Sequence, residues 1–358
     1  MNDRYALGRM HMEHTGRAIY KEAGGQAKPV GARKRNVASL AIAEYIGENT
    51  FGLRARMTIV VILIVFAVLF MLFVSAVLLV IGPVMLLQPH RRTVEYYRKH
   101  TALLHPSDLG LPNEEMVIKS PEGIELHSWL IKAPGTPRGT ILHLHGVSEC
   151  RIVGLPLAKR LHDRGYNVFL YDARRHGESG GTFCTYGFYE KHDASRAITF
   201  LTERKDMQTG KIGVFGSSMG AAVAIQLAAF DKRVAAVVAE SGFATLRTIF
   251  DDYQKRMIKL PWHYLRNIVI KRSEVLAHFK ASAVSPLQAA RDVHVPLFIL
   301  HGTADDRIKF TYSERVYAQA NEPKELWLIQ GASHSNMAEV GGEEYYRRII
   351  GFFDRALA

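Results

Sequence analysis

Two segments of this sequence match the pattern G-x-S-x-G, in which a serine lies between two glycines. One is GESGG, centred on Ser179, and the other is GSSMG, centred on Ser218. An ordinary serine hydroxyl is a weak nucleophile, so an enzyme that uses it must hold it beside a base and expose it at a sharp turn. Such a turn is formed between a β-strand and an α-helix, where glycines allow close backbone contact. The flanking sequence therefore decides which serine suits this chemistry.

The flanking sequence favours Ser218. KIGVF precedes GSSMG as a predicted strand, and AAVAIQLAAF follows it as a predicted helix. GESGG is followed instead by GTFCTYGF, a loop rich in turn residues. We therefore expect Ser179 and the neighbouring His176 to line the site at the carboxyl edge of the sheet without taking part in the chemistry. Ser179 itself and Ser217 are the alternative nucleophiles.

An acid and a base follow Ser218 in the chain order that this type of site requires. Asp305 closes the segment HGTAD after the predicted strand PLFILHG, and His334 lies in GASHS after the predicted strand ELWLIQG. His334 is the only histidine that follows Asp305 in the sequence. Asp306 is the alternative acid. In this arrangement the histidine would take the serine proton, and the aspartate would orient the imidazole and stabilise its charge.

Acyl transfer also needs two backbone N–H groups that face the oxyanion formed during attack. The N–H of Met219 is the first candidate, because this residue follows the nucleophile and opens a helix. The second donor is expected in the loop after the predicted strand TILHLHG, where Val147 is the best candidate. His145 and Gly146 of the same loop are expected to line the site. An ordinary turn at the end of a strand is the alternative interpretation of this loop.

Strand and helix patterns alternate from about residue 115 to residue 358. MVIKS and IELHSWLIKA, separated by PEG, predict a hairpin, and the segments that follow predict strands separated by helices. This alternation is typical of an α/β domain with a mainly parallel sheet. It stops over residues 242–295, where a mostly helical pattern predicts an insertion over the sheet. The hydrophobic content of 48% is ample for a packed core.

An apolar segment precedes this domain. Residues 57–87 contain no charged side chain, and the segment is long enough to cross a bilayer as a tilted helix. We expect an uncleaved membrane anchor; a signal peptide cleaved after Val74–Ala76 and a long buried core helix are the alternatives. Residues 1–56 are polar and basic, which predicts a flexible or weakly structured leader, and residues 88–114 form a basic connector.

The charges on either side of the apolar segment favour a cytoplasmic C-terminal domain, because Lys and Arg are enriched in the cytoplasmic flanks of membrane spans. Arg54 and Arg56 lie close upstream, and the residues close downstream are Arg91, Arg92, Arg98 and Lys99. The formal net charge of the whole chain is +12. This charge favours an anionic partner such as a membrane surface, while the sequence shows no nucleic-acid-binding motif.

No metal and no organic cofactor are expected. Cys150 and Cys184 are too few for a disulfide framework and lack the spacing of a zinc site, although the sequence is compatible with a single bridge between them. The segment MHMEH, residues 10–14, does not have the H-E-x-x-H spacing of a zinc-binding helix. The sequence contains no indication of the oligomeric state.

Five segments together resemble the α/β-hydrolase superfamily, in particular its serine-aminopeptidase-like, BEM-type membrane-anchored hydrolases. The segments are LHLHG, YDARRHGESGG, GVFGSSMGAA, ILHGTADDRI and GASHS. The resemblance spans roughly residues 117–358 and implies a mostly parallel central sheet flanked by helices, with a helical cap over residues 242–295. Relatives commonly read R-G-H-G where this chain has Arg174–Gly177, RRHG, which implies a bulkier, charged side chain near the site entrance.

These features predict a single-pass membrane-anchored serine hydrolase that cleaves carboxylic ester or related acyl bonds in a small-molecule or lipid-like substrate. A serine aminopeptidase-like peptidase and a non-catalytic hydrolase-fold binding protein are the alternatives. From Lys255 to Arg272 the cap carries basic residues and no acidic one, interleaved with apolar and aromatic side chains. This pattern argues against a site for a free amine. It fits either a second contact with an anionic membrane or a solvated basic face.

Overall fold

The computed structural model describes residues 37–258 and 263–358. The first 36 residues, which include MHMEH and most of the predicted leader, lie outside the described residues, as do residues 259–262 of the cap. The chain divides into two compact units, residues 1–68 and residues 69–358. The described part of the first unit is helical.

The second unit contains an eight-stranded sheet within the described residues. Its strands are β1 Glu114–Lys119, β2 Glu125–Ile131, β3 Thr140–Leu144, β4 Asn167–Tyr171, β5 Ile212–Ser217, β6 Val234–Glu240, β7 Leu297–Gly302 and β8 Lys324–Ile329. They lie in the order β1-β2-β4-β3-β5-β6-β7-β8. The pairs β1–β2 and β2–β4 are antiparallel, and every pair from β4 to β8 is parallel. The predicted hairpin and the predicted mostly parallel sheet are confirmed.

Helices pack on both faces of this sheet. The described α-helices are α1 Val37–Ala76, α2 Gly82–Leu87, α3 Val94–Arg98, α4 Leu155–Asp163, α5 Glu190–Glu203, α6 Met219–Phe230, α7 Leu246–Ile258, α8 His263–Leu276, α9 Pro286–Ala289, α10 Phe310–Gln319 and α11 Met337–Ala356. Val237 of β6 belongs to the core formed with α5 and α6, and Val238 to the core formed with α4 and α11. Successive strand side chains point to opposite faces, so the apolar strands are covered on both sides.

The long apolar helix begins earlier than the sequence predicts. α1 starts at Val37, so residues 37–56 are helical and the prediction of a weakly structured leader is wrong for them. Alanine, leucine and glutamate at many of these positions favour helix strongly enough to outweigh Gly47 and Gly52. The helical segment Ala38–Leu87 is long and apolar enough to cross a membrane, a property that anchors and signal sequences share.

The predicted insertion contains α7 and α8, and its basic residues do not all form one solvated face. Arg266 forms an ion pair with Asp251, and only 10% of its side chain is exposed. Tyr264, in contrast, is highly exposed. Lys259 lies outside the described residues. A contact between the cap and a membrane therefore stays a prediction. Fewer basic side chains are available for this contact than the sequence suggests, because Arg266 is paired and mostly buried.

Candidate active site

Ser218 lies at a sharp turn between β5 and α6. Its backbone angles, φ +55° and ψ −112°, belong to neither a helix nor a strand. Glycines on both sides make the turn possible, because a Cβ on Gly216 would lie 2.2 Å from the carbonyl oxygen of Gly220. A Cβ on Gly220 would lie 2.0 Å from the carbonyl oxygen of Leu144. GSSMG thus has the strand–turn–helix setting that its flanking sequence indicates.

His334 and Asp305 meet Ser218 at the carboxyl edge of the sheet. The His334 Nε2 atom lies 3.0 Å from Ser218 Oγ, and His334 Nδ1 lies 2.6 Å from Asp305 Oδ2. The three residues follow β5, β7 and β8, so parallel strands bring them to one edge. In this geometry the imidazole can accept the serine proton at one nitrogen while its other nitrogen donates to the carboxylate.

The contact partner of His334 is Asp305 rather than Asp306. Burial would raise the pKa of the Asp305 carboxyl, but hydrogen bonds from His301, His334 and the backbone N–H of Ile308 outweigh it, and the pKa lies well below its usual range. Its Oδ1 atom accepts from two backbone N–H groups of the following loop, each at 2.9 Å. The carboxylate is therefore ionised and fixed in orientation.

His301 is a residue of this site that the sequence analysis missed. Its Nε2 lies 3.1 Å from Asp305 Oδ2 and 2.9 Å from the carbonyl oxygen of Ile308, and its Nδ1 lies 2.7 Å from Ser313 Oγ. Because both neighbours of Nε2 are acceptors, Nε2 carries the proton and Nδ1 accepts from the serine. The rule of chain order considers only histidines after the acid, and His301 lies in HGTAD, before it.

The two alternative serines are engaged elsewhere. Ser179 is buried, and its Oγ donates to the carbonyl oxygen of Asp172 at 2.6 Å, which fixes the loop after β4. Ser217 Oγ donates to Glu240 Oε1 at 2.9 Å. Neither hydroxyl therefore occupies the position beside the imidazole that Ser218 has.

The loop after β3 lies against the turn at Ser218. A Cβ on Gly146 would be 3.3 Å from Ser218 Cβ. Met219 is the first residue of α6, so its N–H has no acceptor within the helix. The N–H of Gly146 donates to the Glu149 carboxylate at 2.9 Å, which leaves Val147 as the next donor along this loop. Both candidate oxyanion donors therefore belong to residues beside the nucleophile.

Ser218 opens into a cavity of about 700 Å³. This volume falls within the ~300–1,000 Å³ of typical small-molecule sites. Val147 and Met219 line it, together with mostly apolar side chains from the end of the apolar helix, from α7 and from α8. Among the described residues of the lining there is no acidic side chain. The site therefore suits a substrate with an apolar part held next to the reacting carbonyl.

The four residues expected to line the site are buried beside it. His145, Gly146, His176 and Ser179 are not among the described residues that line the cavity, so their place in the site stays a prediction. His145 Nδ1 lies 2.8 Å from the carbonyl oxygen of Gly146, and its Nε2 accepts from the N–H of Ala173 at 2.9 Å. Burial lowers the pKa of His176 to about 3. The two histidines are thus structural supports of the loops at the sheet edge.

The charged residue that replaces glycine in the R-G-H-G pattern lies next to the connector. Arg175 has φ +67°, a conformation that glycine adopts without steric cost. Burial and the nearby charge of Arg175 lower the pKa of Arg91 in the connector, so the two guanidinium groups are neighbours. Arg175 is not among the described residues that line the cavity, whereas His90, next to Arg91, is one of them. A position of Arg175 near the site entrance therefore stays a prediction.

The cysteines and the metal-binding residue types form no further centre in the part of the chain that the structure describes. Cys150 and Cys184 are both free and buried, so they form no disulfide. No cluster of three or more His, Cys, Asp and Glu side chains in residues 37–258 and 263–358 is arranged to hold a metal ion.

A mostly parallel sheet with a strand–turn–helix serine at its carboxyl edge, and an acid and a histidine after two later strands, is the α/β-hydrolase architecture. Known proteins place the chain within that class. Residues 157–358 match the model of the prolyl oligopeptidase family, and the chain belongs to this family.

Individual relatives agree with this assignment. The solved structure of the esterase Pf2001 of Pyrococcus furiosus is 28% identical, covers 71% of this chain and 96% of its own, and has a TM-score of 0.60. The protein YqkD of Bacillus subtilis is 30% identical over 65% of this chain and 76% of its own. The acylaminoacyl peptidase of Pyrococcus horikoshii, at 17% identity, covers 69% of this chain and 42% of its own and shares the fold with a TM-score of 0.55. The chain is a serine hydrolase of the α/β type.

Proposed function

We propose that this protein is a membrane-anchored serine hydrolase that cleaves carboxylic esters or related acyl bonds through an acyl-enzyme on Ser218. The observation that carries the proposal is the pair of contacts made by one imidazole. His334 lies 3.0 Å from the hydroxyl of Ser218 through Nε2 and 2.6 Å from the carboxylate of Asp305 through Nδ1. This is the arrangement that makes a serine hydroxyl nucleophilic.

The reaction would proceed in two halves. Ser218 Oγ attacks the acyl carbon while His334 takes the hydroxyl proton, and the imidazolium then gives that proton to the leaving oxygen as its bond to the acyl carbon breaks. Water repeats the attack on the acyl-enzyme with the same imidazole as base and releases the carboxylic acid. The ionised Asp305 stabilises the imidazolium in both halves.

The oxyanion of each tetrahedral intermediate would be stabilised by the N–H groups of Met219 and Val147. Their position beside Ser218 in the cavity supports this role. A single donor of this kind typically contributes about 10²–10³ in kcat. Neither the serine mechanism nor this stabilisation requires a metal or an organic cofactor.

The cavity favours an acyl substrate over a peptide with a free amino terminus. An aminopeptidase must hold an ammonium group with carboxylates or carbonyl oxygens, whereas the described residues lining the cavity include Arg256 and Arg266 and no acidic side chain. The alternative of a non-catalytic binding protein offers no reason for a serine, an imidazole and a buried carboxylate to be hydrogen-bonded in series.

The apolar helix supports anchoring in a membrane. None of the residues in its most apolar stretch is buried within the described protein, as expected of a helix covered by lipid rather than of a core helix. The basic residues downstream of it support a catalytic domain on the cytoplasmic side.

Labelling with a fluorophosphonate probe tests the nucleophile. We expect Ser218→Ala to abolish labelling of the full-length protein, because the probe reacts only with a serine activated by a neighbouring base. Ser217→Ala and Ser179→Ala are the matched controls and should retain labelling. Loss of labelling in Ser179→Ala alone would show that the wrong serine has been assigned.

A panel of substrates tests the type of bond. We expect hydrolysis of p-nitrophenyl esters and little or no hydrolysis of aminoacyl anilides, since the described cavity lining offers no carboxylate for an amine. A higher kcat/KM for the anilides than for the esters would favour the peptidase alternative.

A further inference from the structure

The end of the apolar helix forms one wall of the cavity at Ser218. The lining residues from this helix include Phe73, Val74, Val77, Leu78, Ile81 and Met85. Gly82 of the same segment packs on the cap helix α8, where a Cβ on Gly82 would lie 3.0 Å from a methyl group of Val269. All of these residues belong to the compact unit that begins at Leu69. This part of the helix is therefore a component of the hydrolase domain and of its substrate cavity.

Hydrogen bonds fix the helix end to the same domain. The hydroxyl of Tyr186 donates to the carbonyl oxygen of Leu86 at 2.6 Å, and the N–H of Cys184 donates to the carbonyl oxygen of Leu87 at 2.8 Å. These two carbonyl groups are among those that the end of a helix leaves without partners. Leu87 is fully buried. The loop after β4, which also supports the active-site edge, thus holds the helix end in place.

The apolar segment is longer than a bilayer requires. At a rise of about 1.5 Å per residue, residues 57–87 extend for roughly 45 Å, whereas the hydrocarbon core is about 30 Å thick and needs about 20 residues. A span that starts at residue 57 would therefore end near residue 76. At that point α1 ends and the π-helical turn Val77–Ile81 begins. Residues 77–87 are therefore apolar although a membrane span does not require them, and they supply most of the helix residues that line the cavity.

We propose that the end of the apolar helix is part of the acyl-binding site and that the substrate is a long-chain acyl ester of a membrane amphiphile. Its acyl chain passes from the bilayer hydrocarbon into the cavity along this helix, and its ester carbonyl reaches Ser218. The methylene groups remain in apolar surroundings throughout, so transfer exposes no hydrocarbon to water. This inference rests on the proposed function, because it requires Ser218 as the nucleophile.

Adjacent leucines of this helix provide a matched test. Leu78 lines the cavity, whereas Leu79 is 45% exposed and is not among its described lining residues. The full chain is reconstituted in phosphatidylcholine vesicles, and kcat/KM is measured for p-nitrophenyl butyrate and p-nitrophenyl dodecanoate. In Leu78→Trp the dodecanoate-to-butyrate ratio of kcat/KM should fall roughly tenfold or more, the discrimination typical of one or two lost methylene contacts. In Leu79→Trp the ratio should stay within about twofold of wild type.

An unchanged ratio in Leu78→Trp, or an equal fall in both leucine variants, would overturn the proposal. Val77→Phe repeats the test with a smaller increase in side-chain volume. It decides the question if Leu78→Trp folds poorly. A failure of the proposed function looks different, since then neither ester is hydrolysed by the wild type and Ser218 is not labelled by a fluorophosphonate.

Surface dilution tests the route of the substrate. A long-chain ester dissolved in the same vesicles is assayed while phosphatidylcholine is added at constant total ester. Delivery through the bilayer predicts a rate that falls with the mole fraction of ester in the membrane. A rate that follows only the total ester concentration would show delivery from water and would contradict the bilayer route.

Discussion

At the scale of single residues, Glu240 supports the turn of the nucleophile from the buried side. Its backbone carbonyl oxygen accepts the N–H of Ser218 at 2.7 Å, and its carboxylate accepts from Ser217 Oγ at 2.9 Å and from the hydroxyl of Tyr345 at 2.5 Å. Burial raises the pKa of the Glu240 carboxyl, and the two donors offset this only in part. Glu240 is therefore a positioning residue whose charge is costly in the folded state.

The replacement Glu240→Gln should show this cost as a dependence of stability on pH. Because the pKa is higher in the folded state, Glu240 contributes stability that is fully present below its unfolded value of about 4.3 and is lost as the pH rises through the folded value. The free energy of unfolding of Glu240→Gln should therefore increase relative to wild type as the pH is raised from about 4 towards neutrality. Urea denaturation at a series of pH values measures this, and a difference that is constant with pH would contradict it.

Local sequence could identify only those site residues that follow a recognisable strand or turn. Ser218, Asp305 and His334 each come directly after an apolar run, and the parallel order of the strands brings them together. Glu240 and His301 lie inside the runs VAAVVAE and ILHG, where a buried polar side chain looks like any other strand residue. Their contacts depend on which strands are neighbours, and neighbours in the sheet are not encoded in a local pattern.

At the scale of secondary-structure elements, the hydrogen bond from Tyr186 to the end of the apolar helix should be worth a measurable part of the stability. Tyr186→Phe leaves the carbonyl group of Leu86 without this donor in a partly buried position, which costs about 1–3 kcal/mol. The matched control is Tyr189→Phe, whose hydroxyl donates to the carbonyl oxygen of His278 at 2.7 Å in an exposed position.

The control should lose no more than about 0.5 kcal/mol, because water replaces an exposed hydrogen bond. Urea unfolding of the detergent-solubilised protein, followed by tryptophan fluorescence, compares the two variants. Equal losses would show that the helix end is not held by Tyr186 as the structure indicates.

The strands of the sheet were predictable, and the boundaries of the long helix were not. Each strand is a short apolar run between turn residues, and the helices between them require parallel neighbours. The start of α1 at Val37 was missed because residues 37–56 mix charged and apolar residues without a helical period. The role of residues 77–87 was also hidden, since a run of apolar side chains looks the same whether lipid or protein covers it.

At the scale of the whole molecule, the connector after the apolar helix attaches directly to the active-site edge. The N–H of Arg92 donates to the carbonyl oxygen of Ser148 at 3.3 Å, next to the proposed oxyanion donor Val147. The catalytic domain is therefore tied closely to the end of the helix, and under the proposed anchoring its position relative to the membrane would follow from the orientation of that helix. The basic residues of the connector favour the cytoplasmic side.

Cysteine labelling can determine this orientation with little background. Burial raises the pKa of the Cys150 thiol to about 12 and that of Cys184 well above its usual value. Both thiols are buried and free. Since the thiolate is the reactive form, neither should react readily with a membrane-impermeant maleimide. The wild-type protein should therefore remain almost unlabelled whether or not the membrane is opened.

Single cysteines introduced at exposed serines then report on each side of the apolar segment. Ser39 lies upstream of it and Ser282 lies in the cap region, and both are exposed. We expect Ser39→Cys to be labelled in intact cells and Ser282→Cys only after permeabilisation, because the basic residues of the connector favour a cytoplasmic catalytic domain. The reverse pattern would place the domain outside and refute the orientation. Labelling of both variants in intact cells would show that the helix does not span the membrane.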